Sequence, residues 1–344
     1  FGGNNGDIAS SWISKQGSKP RRQPNNIIRF KEVFMAEYEK ERYGKILIPL
    51  LTSFCEDGRV DFERTAALAE FIIDQKKGDS LVLAGSTGEF YAMSFDERVR
   101  LFETVKNKVG DRIPIIAGVG AASTIETIQL AKIAEKIGFE TVMIVSPYYT
   151  KPNQEELYCH FMKVATSVSL NILLYNIPIY TGVNIDPSTV SRLAEQPNIV
   201  GIKEEAELNP KQITAFLNCT PENFVIYNGD DTMILEAYAQ GGEKRIGGVV
   251  SGSSHIIGHL IRSMIEDFLA GKVQAAAEQQ QKIYPFLKSL GQNKRTNAAP
   301  LLKEALRLYG FDAGYPRAPL MCGTPEEVEN IRLAMIQLAL FKER

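Results

Sequence analysis

Four residues that follow or end short apolar runs have side chains suited to carbonyl chemistry. Lys203 stands near the end of IVGIKE, Tyr175 near the end of NILLYN, and Ser86 and Thr87 follow SLVLAG. An uncharged lysine amine attacks a ketone to form a Schiff base, and a phenol can relay protons. Hydroxyls and backbone N–H groups at a turn feeding a helix can hold a carboxylate. These residue types predict Schiff-base chemistry beside a carboxylate cradle.

Each of these residues also has a purely structural interpretation. Lys203 would then pair with the adjacent Glu204 or Glu205, Tyr175 would be a core tyrosine, and GSTGE at 85–89 would be an ordinary turn. Lysine is rarely buried without a reason, and desolvation lowers the pKa of an amine. We therefore expect burial to keep the amine of Lys203 uncharged.

A repeated unit of one apolar run and one helical segment predicts how Lys203, Tyr175, Ser86 and Thr87 are positioned. Eight apolar runs begin 22 to 35 residues apart, and the segments between several of them have helical spacing. Continuously apolar runs are typical of parallel strands that are buried on both faces. Eight such units predict a (β/α)8 TIM barrel, whose active site lies at the carboxyl ends of the strands. A doubly wound open sheet is the alternative. The runs are 45–52, 80–85, 113–120, 141–147, 171–176, 199–204, 224–229 and 246–252.

The pattern divides the chain into three parts. Residues 1–40 lack an apolar period, and the first 34 carry six basic and two acidic residues, so we expect a disordered or non-native leader. Residues 41–270 form the predicted barrel. Residues 271–344 form a predicted C-terminal helical extension, which ends in a helix at 325–342.

Composition excludes several classes of function. The formal net charge is −2, which argues against a nucleic-acid partner, and no apolar run approaches the ~18 residues that span a membrane. Four scattered cysteines lack metal or redox spacing, so we expect a reduced, cytoplasmic setting.

Two further motifs give weaker signals. HIIGH has His255 and His259 four residues apart but no glutamate after the first histidine, so we predict no metal site. GGEKRIGG places Lys244 and Arg245 near the eighth run, where barrels often bind phosphate. A phosphate-binding barrel therefore stays open, as does a barrel without catalytic activity.

Several motifs in collinear order resemble the dihydrodipicolinate synthase / N-acetylneuraminate lyase family of pyruvate-dependent Schiff-base enzymes. They are GSTGE, PYYTKP, LYNIP, GIKE, NGDD, GVVS, NAAPLLKEAL and PRAPL, and they extend from about residue 44 to residue 340. The resemblance implies a TIM barrel that forms an imine with a 2-keto acid and needs no metal or organic cofactor. It also implies a homotetramer built from dimers.

The resemblance also implies site residues. Lys203 is similar to the Schiff-base lysine, Tyr175 to the proton-relaying tyrosine, and Ser86 and Thr87 to the hydroxyl pair that binds the substrate carboxylate. Tyr149 is similar to a catalytic tyrosine that reaches the neighbouring subunit's site. The remaining substrate-binding positions implied in the same way are Val250, Tyr180, Glu205 and Asp231.

Three positions depart from the named activities of the family. Tyr180 stands where synthases carry an arginine that holds the aldehyde substrate's carboxylate, and a phenol cannot replace that guanidinium. Glu205 replaces the small residue or threonine of the lyases, and Thr232 replaces their glutamate. We therefore expect an aldolase or dehydratase acting on pyruvate or a 2-keto-3-deoxy sugar acid. The alternative is 4-hydroxy-tetrahydrodipicolinate synthase, with pyruvate and aspartate semialdehyde as substrates.

Overall fold

The strands of the chain close into one parallel barrel. A computed structural model describes residues 42–205 and 209–340, so the predicted leader at 1–40 lies outside the described residues. The strands pair in sequence order, and the first pairs with the eighth. The predicted TIM barrel is thus confirmed. The strands are β1 (Ile46–Pro49), β2 (Ser80–Leu83), β3 (Ile115–Gly118), β4 (Thr141–Val145), β5 (Asn171–Asn176), β6 (Ile199–Glu204), β7 (Val225–Asn228) and β8 (Ile246–Val250).

Helices cover the outside of the barrel, which explains why the strands read as continuous apolar runs. All residues of β1, β2, β3, β4, β6, β7 and β8 are buried. Burial on both faces favours apolar residues at every position, not at alternate ones. The helices between and after the strands, of which α5 is a single turn directly after β5, are α1 (Phe62–Asp74), α2 (Phe95–Val109), α3 (Thr124–Ile137), α4 (Gln154–Ala165), α5 (Pro178–Thr181), α6 (Pro187–Leu193), α7 (Gln212–Cys219), α8 (Ile234–Arg245) and α9 (Ser254–Leu269).

Local sequence fixes where several helices begin. Ser94 accepts a hydrogen bond from the backbone of Glu97, whose side chain accepts one from Ser94 in return, and this capping box starts α2. Asn153 and Glu156 form the same arrangement at the start of α4. Such boxes satisfy N–H groups that the helix itself leaves without partners.

Three further helices follow the barrel within the described residues. They are α10 (Val273–Ser289), α11 (Ala299–Tyr309) and α12 (Pro325–Gln337). The last one is shorter than the predicted 325–342. It ends where Ala339 adopts a left-handed backbone with φ 54°, which an α-helix cannot accommodate.

A buried ion pair ties this C-terminal part to the turn after β2. The Nζ atom of Lys303 on α11 lies 2.6 Å from Oε1 of Glu89 and also donates to the carbonyl of Tyr315. The second carboxylate oxygen of Glu89 accepts from the backbone N–H of Arg317. The side chains of Lys303 and Glu89 are 1% and 0% exposed. The pair therefore links the GSTGE turn to the C-terminal helices through groups that water does not reach.

The alternative of a phosphate site at Lys244 and Arg245 is not supported by the location of these residues. Both residues precede β8 at the end of α8, so they lie at the amino end of the strand, away from the carboxyl ends where barrel sites form. Lys244 pairs with the exposed Glu222, and Arg245 donates to Thr220.

Among the described residues, no helix combines the length and apolar character that crossing a bilayer requires.

The Lys303–Glu89 pair gives a stability prediction. Replacing Lys303 by methionine should leave a carboxylate buried without its cation and lower the free energy of unfolding by about 3–5 kcal/mol. The double variant Lys303→Met, Glu89→Gln should recover part of this loss. Urea denaturation measures both values, with Lys288→Met, an exposed lysine on α10, as the control. A loss below about 1 kcal/mol would show that the pair does not hold the two parts together.

Candidate active site

A cavity of about 220 Å³ opens at the carboxyl ends of the strands. Among the residues around it are nearly all those that the sequence singled out. The predicted residues on its wall are Ser86, Thr87, Tyr175, Tyr180, Lys203, Glu205, Asp231 and Val250. They come from strands or strand ends that are far apart in the sequence, and closure of the barrel brings them together.

Lys203, Tyr175 and Ser86 form the centre of this site. Tyr175 on β5 and Lys203 on β6 are register partners, and the Nζ atom lies 4.0 Å from the centre of the Tyr175 ring. The Tyr175 hydroxyl lies 3.5 Å from Oγ of Ser86. Lys203 is only 6% exposed, and Tyr175 is 2% exposed. The amine, the phenol and the hydroxyl therefore meet on the wall of one cavity, with the amine and the phenol almost fully buried.

The charge of the amine differs from the expectation. Burial alone lowers the pKa of Lys203, but the neighbouring Tyr175 and Glu205 oxygens outweigh it and raise the pKa above its ordinary value. Oε2 of Glu205 lies 3.3 Å from Nζ. The prediction that burial leaves an uncharged amine was wrong, because the buried amine has an anionic partner. The raised pKa favours the ammonium form of Lys203.

The two glutamates after Lys203 have opposite environments. Glu204 points away from the cavity and accepts hydrogen bonds from Asn176 and Gln212, at 2.9 and 3.0 Å. Burial raises the pKa of Glu204 to about 8. Glu205 faces the cavity, and burial raises its pKa to about 7 in spite of Lys203. Of the two glutamates that the sequence offered as partners of Lys203, the structure therefore shows Glu205 in that position.

The segment after β7 forms an acidic wall beside the lysine. Asp231 is half-buried and accepts the backbone N–H of Ser253 at 2.9 Å, and burial raises its pKa. Gly229 leaves room for Lys203 and Glu205, because a Cβ atom there would lie 2.5 Å from the ends of both side chains and would displace them. In the NGDD motif, Gly229 therefore leaves space beside the Lys203 amine, and Asp230 and Asp231 supply carboxylates to the cavity wall.

The C-terminal part contributes residues that the sequence analysis did not identify. Asn297 lines the cavity and donates to the carbonyl of Ser86 at 3.3 Å and to the hydroxyl of Tyr91 at 3.0 Å. Arg295 also lines it, with its guanidinium held by both oxygens of Glu327. The NAAPLLKEAL motif was the available signal, but its spacing says nothing about which strand it contacts.

Tyr180 lies at the edge of the cavity on α5. It is 40% exposed, and its hydroxyl donates to the carbonyl of Thr296. The phenol is thus linked to the C-terminal part and also lines a second cavity of about 360 Å³ that continues from Ser86 past Tyr91.

Tyr149 is not brought to the site within its own chain. Its side chain is 92% exposed, and its φ of 74° is costly for a residue with a bulky side chain. The adjacent Tyr148 is half-buried and packs edge-on against Phe90. The predicted contact of Tyr149 with a neighbouring subunit stays a prediction.

Comparisons with known proteins show the family of the chain. Residues 42–337 match the model of the dihydrodipicolinate synthetase family. The chain is 40% identical over 299 residues to a 4-hydroxy-tetrahydrodipicolinate synthase of Moorella thermoacetica, with 87% of this chain and 99% of the relative covered. It is 41% identical over 287 residues to the enzyme of that name from Bacillus subtilis, with 83% and 96% covered.

Solved structures give the same result. A dihydrodipicolinate synthase from Bacillus anthracis superposes with a TM-score of 0.79 at 36% identity, covering 86% of this chain and 98% of that one. The lysine-bound enzyme of Cyanidioschyzon merolae reaches 0.81 at 34% identity, covering 87% and 99%. The chain therefore belongs to the dihydrodipicolinate synthetase family, as its motifs indicated, and is a pyruvate-dependent Schiff-base lyase of the class I aldolase type.

Proposed function

We propose that Lys203 forms the Schiff base and that the enzyme makes or breaks a bond in a 2-keto acid with a hydroxylated tail. The observation that carries this is the buried amine of Lys203, 4.0 Å from the Tyr175 ring in a cavity of about 220 Å³. A buried lysine at a barrel mouth, beside groups that can move protons, suits covalent catalysis through an imine.

Ser86 and Thr87 are the proposed binding site for the substrate's carboxylate. Their hydroxyls lie at the end of β2, on the same cavity as Lys203. Lys203 must give up a proton before its nitrogen attacks the ketone, because an ammonium ion has no lone pair. The protonated imine then draws electrons from the neighbouring carbon–carbon bond, or from a carbon–hydrogen bond. An enamine results, which adds to an aldehyde in the reverse direction.

Tyr175 is the proposed group that moves protons to and from the reacting carbon. Burial raises the pKa of Tyr175, so the phenol keeps its proton at neutral pH. Its 3.5 Å separation from the Ser86 hydroxyl gives a short route for a proton. Positioned acids and bases of this type contribute about 10²–10⁴ to rate.

The acidic wall supports a hydroxylated substrate tail. Glu205, Asp230 and Asp231 line one side of the cavity, and carboxylates accept hydrogen bonds from hydroxyl groups while repelling a second carboxylate. Arg295, a cation on the same cavity, is already held by Glu327. These features favour a 2-keto-3-deoxy sugar acid, or pyruvate with a sugar-derived aldehyde. A dehydratase outcome is open, because the same imine can expel a C4 hydroxyl.

Aspartate semialdehyde is the competing partner substrate. The relatives from Moorella thermoacetica and Bacillus subtilis are both named 4-hydroxy-tetrahydrodipicolinate synthase. Tyr180 argues against aspartate semialdehyde as the substrate. Its hydroxyl donates to the Thr296 carbonyl, and a phenol cannot form two parallel hydrogen bonds to a carboxylate. A homotetramer in the cytoplasm, with Tyr149 reaching the next subunit's site, belongs to the same proposal. The strained and exposed position of Tyr149 supports the contact with the next subunit.

The imine itself is directly testable. Incubation with pyruvate followed by borohydride reduction should add the mass of reduced pyruvate to the peptide that carries Lys203, as read by mass spectrometry. Lys203→Arg should abolish the adduct, because a guanidinium does not form an imine, and Lys288→Arg serves as the exposed control. An adduct that persists in Lys203→Arg would refute the assignment.

Replacing Tyr175 by phenylalanine should lower kcat by about 10²–10⁴ and change KM much less, because the phenol acts on the reacting atoms. Steady-state kinetics with a cleavable 2-keto acid measures this. Tyr238→Phe, which removes a buried hydroxyl from α8, should change kcat by less than about twofold. Equal losses in the two variants would argue against a specific role for Tyr175.

The choice of partner substrate depends on position 180. The wild-type enzyme should prefer 2-keto-3-deoxy sugar acids, and Tyr180→Arg should shift the ratio of kcat/KM values toward aspartate semialdehyde by about 10- to 100-fold. Tyr180→Phe controls for loss of the contact with Thr296. Efficient turnover of aspartate semialdehyde by the wild-type enzyme would contradict the preference proposed here.

A further inference from the structure

The resting charge of Lys203 creates a requirement that the other site residues must meet. Its amine is 6% exposed and rests as an ammonium ion, held by the oxygens of Tyr175 and Glu205. Bulk water has little access to remove the proton. A nearby group must therefore accept it before the nitrogen can attack a ketone.

The geometry argues against three of the nearby groups as acceptors of the Lys203 proton. Tyr175 is a phenol whose pKa is raised by burial, so it holds its own proton at neutral pH. Glu204 follows Lys203 directly, but its two oxygens accept from Asn176 and Gln212 on the opposite face of β6. Asp231 is fixed by the backbone N–H of Ser253.

Glu205, unlike these three residues, has a carboxylate that faces the Lys203 amine. Its Oε2 atom lies 3.3 Å from Nζ of Lys203, and its side chain is 19% exposed. Its backbone N–H donates to the carbonyl of Asn176, which extends the pairing of β6 with β5 by one residue. Gly229 leaves the space in which the carboxylate and the amine meet. The carboxylate is thus held at the reacting nitrogen by the sheet itself.

We propose that Glu205 is a catalytic residue that accepts the proton of the Lys203 ammonium ion and so releases the amine for attack. This inference rests on the proposed function, in which Lys203 forms the imine. Glu205 takes one proton, and the amine then forms a bond to the ketone carbon while the carbonyl π electrons move to oxygen. The adduct nitrogen gives a second proton to that oxygen, Glu205 returns the first, and the oxygen leaves as water. The ammonium ion and ketone thus become a protonated imine and one water, with no other reactant.

Neighbouring charges tune this exchange. Burial raises the pKa of Glu205 to about 7, Lys203 lowers it, and Asp230 and Asp231 oppose that effect. A carboxylate near neutrality can both accept and return a proton at physiological pH. The titratable or charged groups around it are Lys203 on β6, Tyr175 on β5, Asp230 and Asp231 after β7, and Arg295 from the C-terminal part.

The rate of imine formation tests the proposal. The intact enzyme is mixed rapidly with pyruvate across a range of pH, the imine is trapped with cyanoborohydride, and the Lys203 adduct is quantified by mass spectrometry. In the wild-type enzyme the rate should fall as pH drops through about 7, because protonated Glu205 cannot accept the ammonium proton. Glu205→Gln should slow imine formation by about 100-fold near neutral pH, and the dependence centred near pH 7 should be replaced by the titration of the Lys203 amine itself.

Two further variants separate catalysis from structure. Glu205→Asp keeps the carboxylate, so it should retain the fall near neutral pH and recover part of the rate, which a purely structural role would not predict. Glu103→Gln, an exposed change on α2, should leave rate and profile unchanged.

The outcomes distinguish this inference from the proposed function. A Lys203 adduct that forms in Glu205→Gln at the wild-type rate or faster, or with the wild-type pH profile, would overturn the role of Glu205 and leave Lys203 as the Schiff-base residue. A rate of imine formation in the wild-type enzyme that does not fall near neutral pH would also overturn the role of Glu205, without the need for a variant. Absence of any adduct in the wild-type enzyme would overturn both.

Discussion

The site depends on an amine that the barrel removes from water together with its counter-charge. Lys203 lies in β6 between the register partners Tyr175 on β5 and Tyr227 on β7, so the closed sheet shields it on both sides. A lone buried ammonium would lose its proton, because burial favours the neutral form. Glu205 at 3.3 Å reverses that outcome. The chemistry is therefore set by a buried pair whose proton can move between two atoms.

That pair lies on a cavity whose wall the barrel alone does not complete. Asn297 and Arg295 of the C-terminal part line the cavity, and Asn297 contacts the Ser86 carbonyl. The buried Lys303–Glu89 pair fixes α11 against the turn that carries Ser86. The C-terminal helices thus form part of the wall of the site, and the same contacts that stabilise the fold also limit the access of water to the amine.

Much of this architecture could be predicted from the sequence. The apolar runs matched all eight strands, since strands buried on both faces carry a continuous apolar signal. The residues at the ends of those runs, such as Lys203 and Ser86, were found because barrel sites form at that edge. The extent of α12 was not predicted, because helix ends depend on single backbone conformations such as that of Ala339.

The sequence by itself determined the repeated strand–helix unit, the order of the motifs and the chemical types available at each strand end. These are local properties, carried by the period of apolar residues and by a few neighbouring positions. Only the tertiary structure decided that Glu205 faces Lys203 while Glu204 faces Asn176, and that Asn297 reaches Ser86. Charge state and contact depend on distances between residues from different strands and helices. Those distances exist only once the barrel has closed.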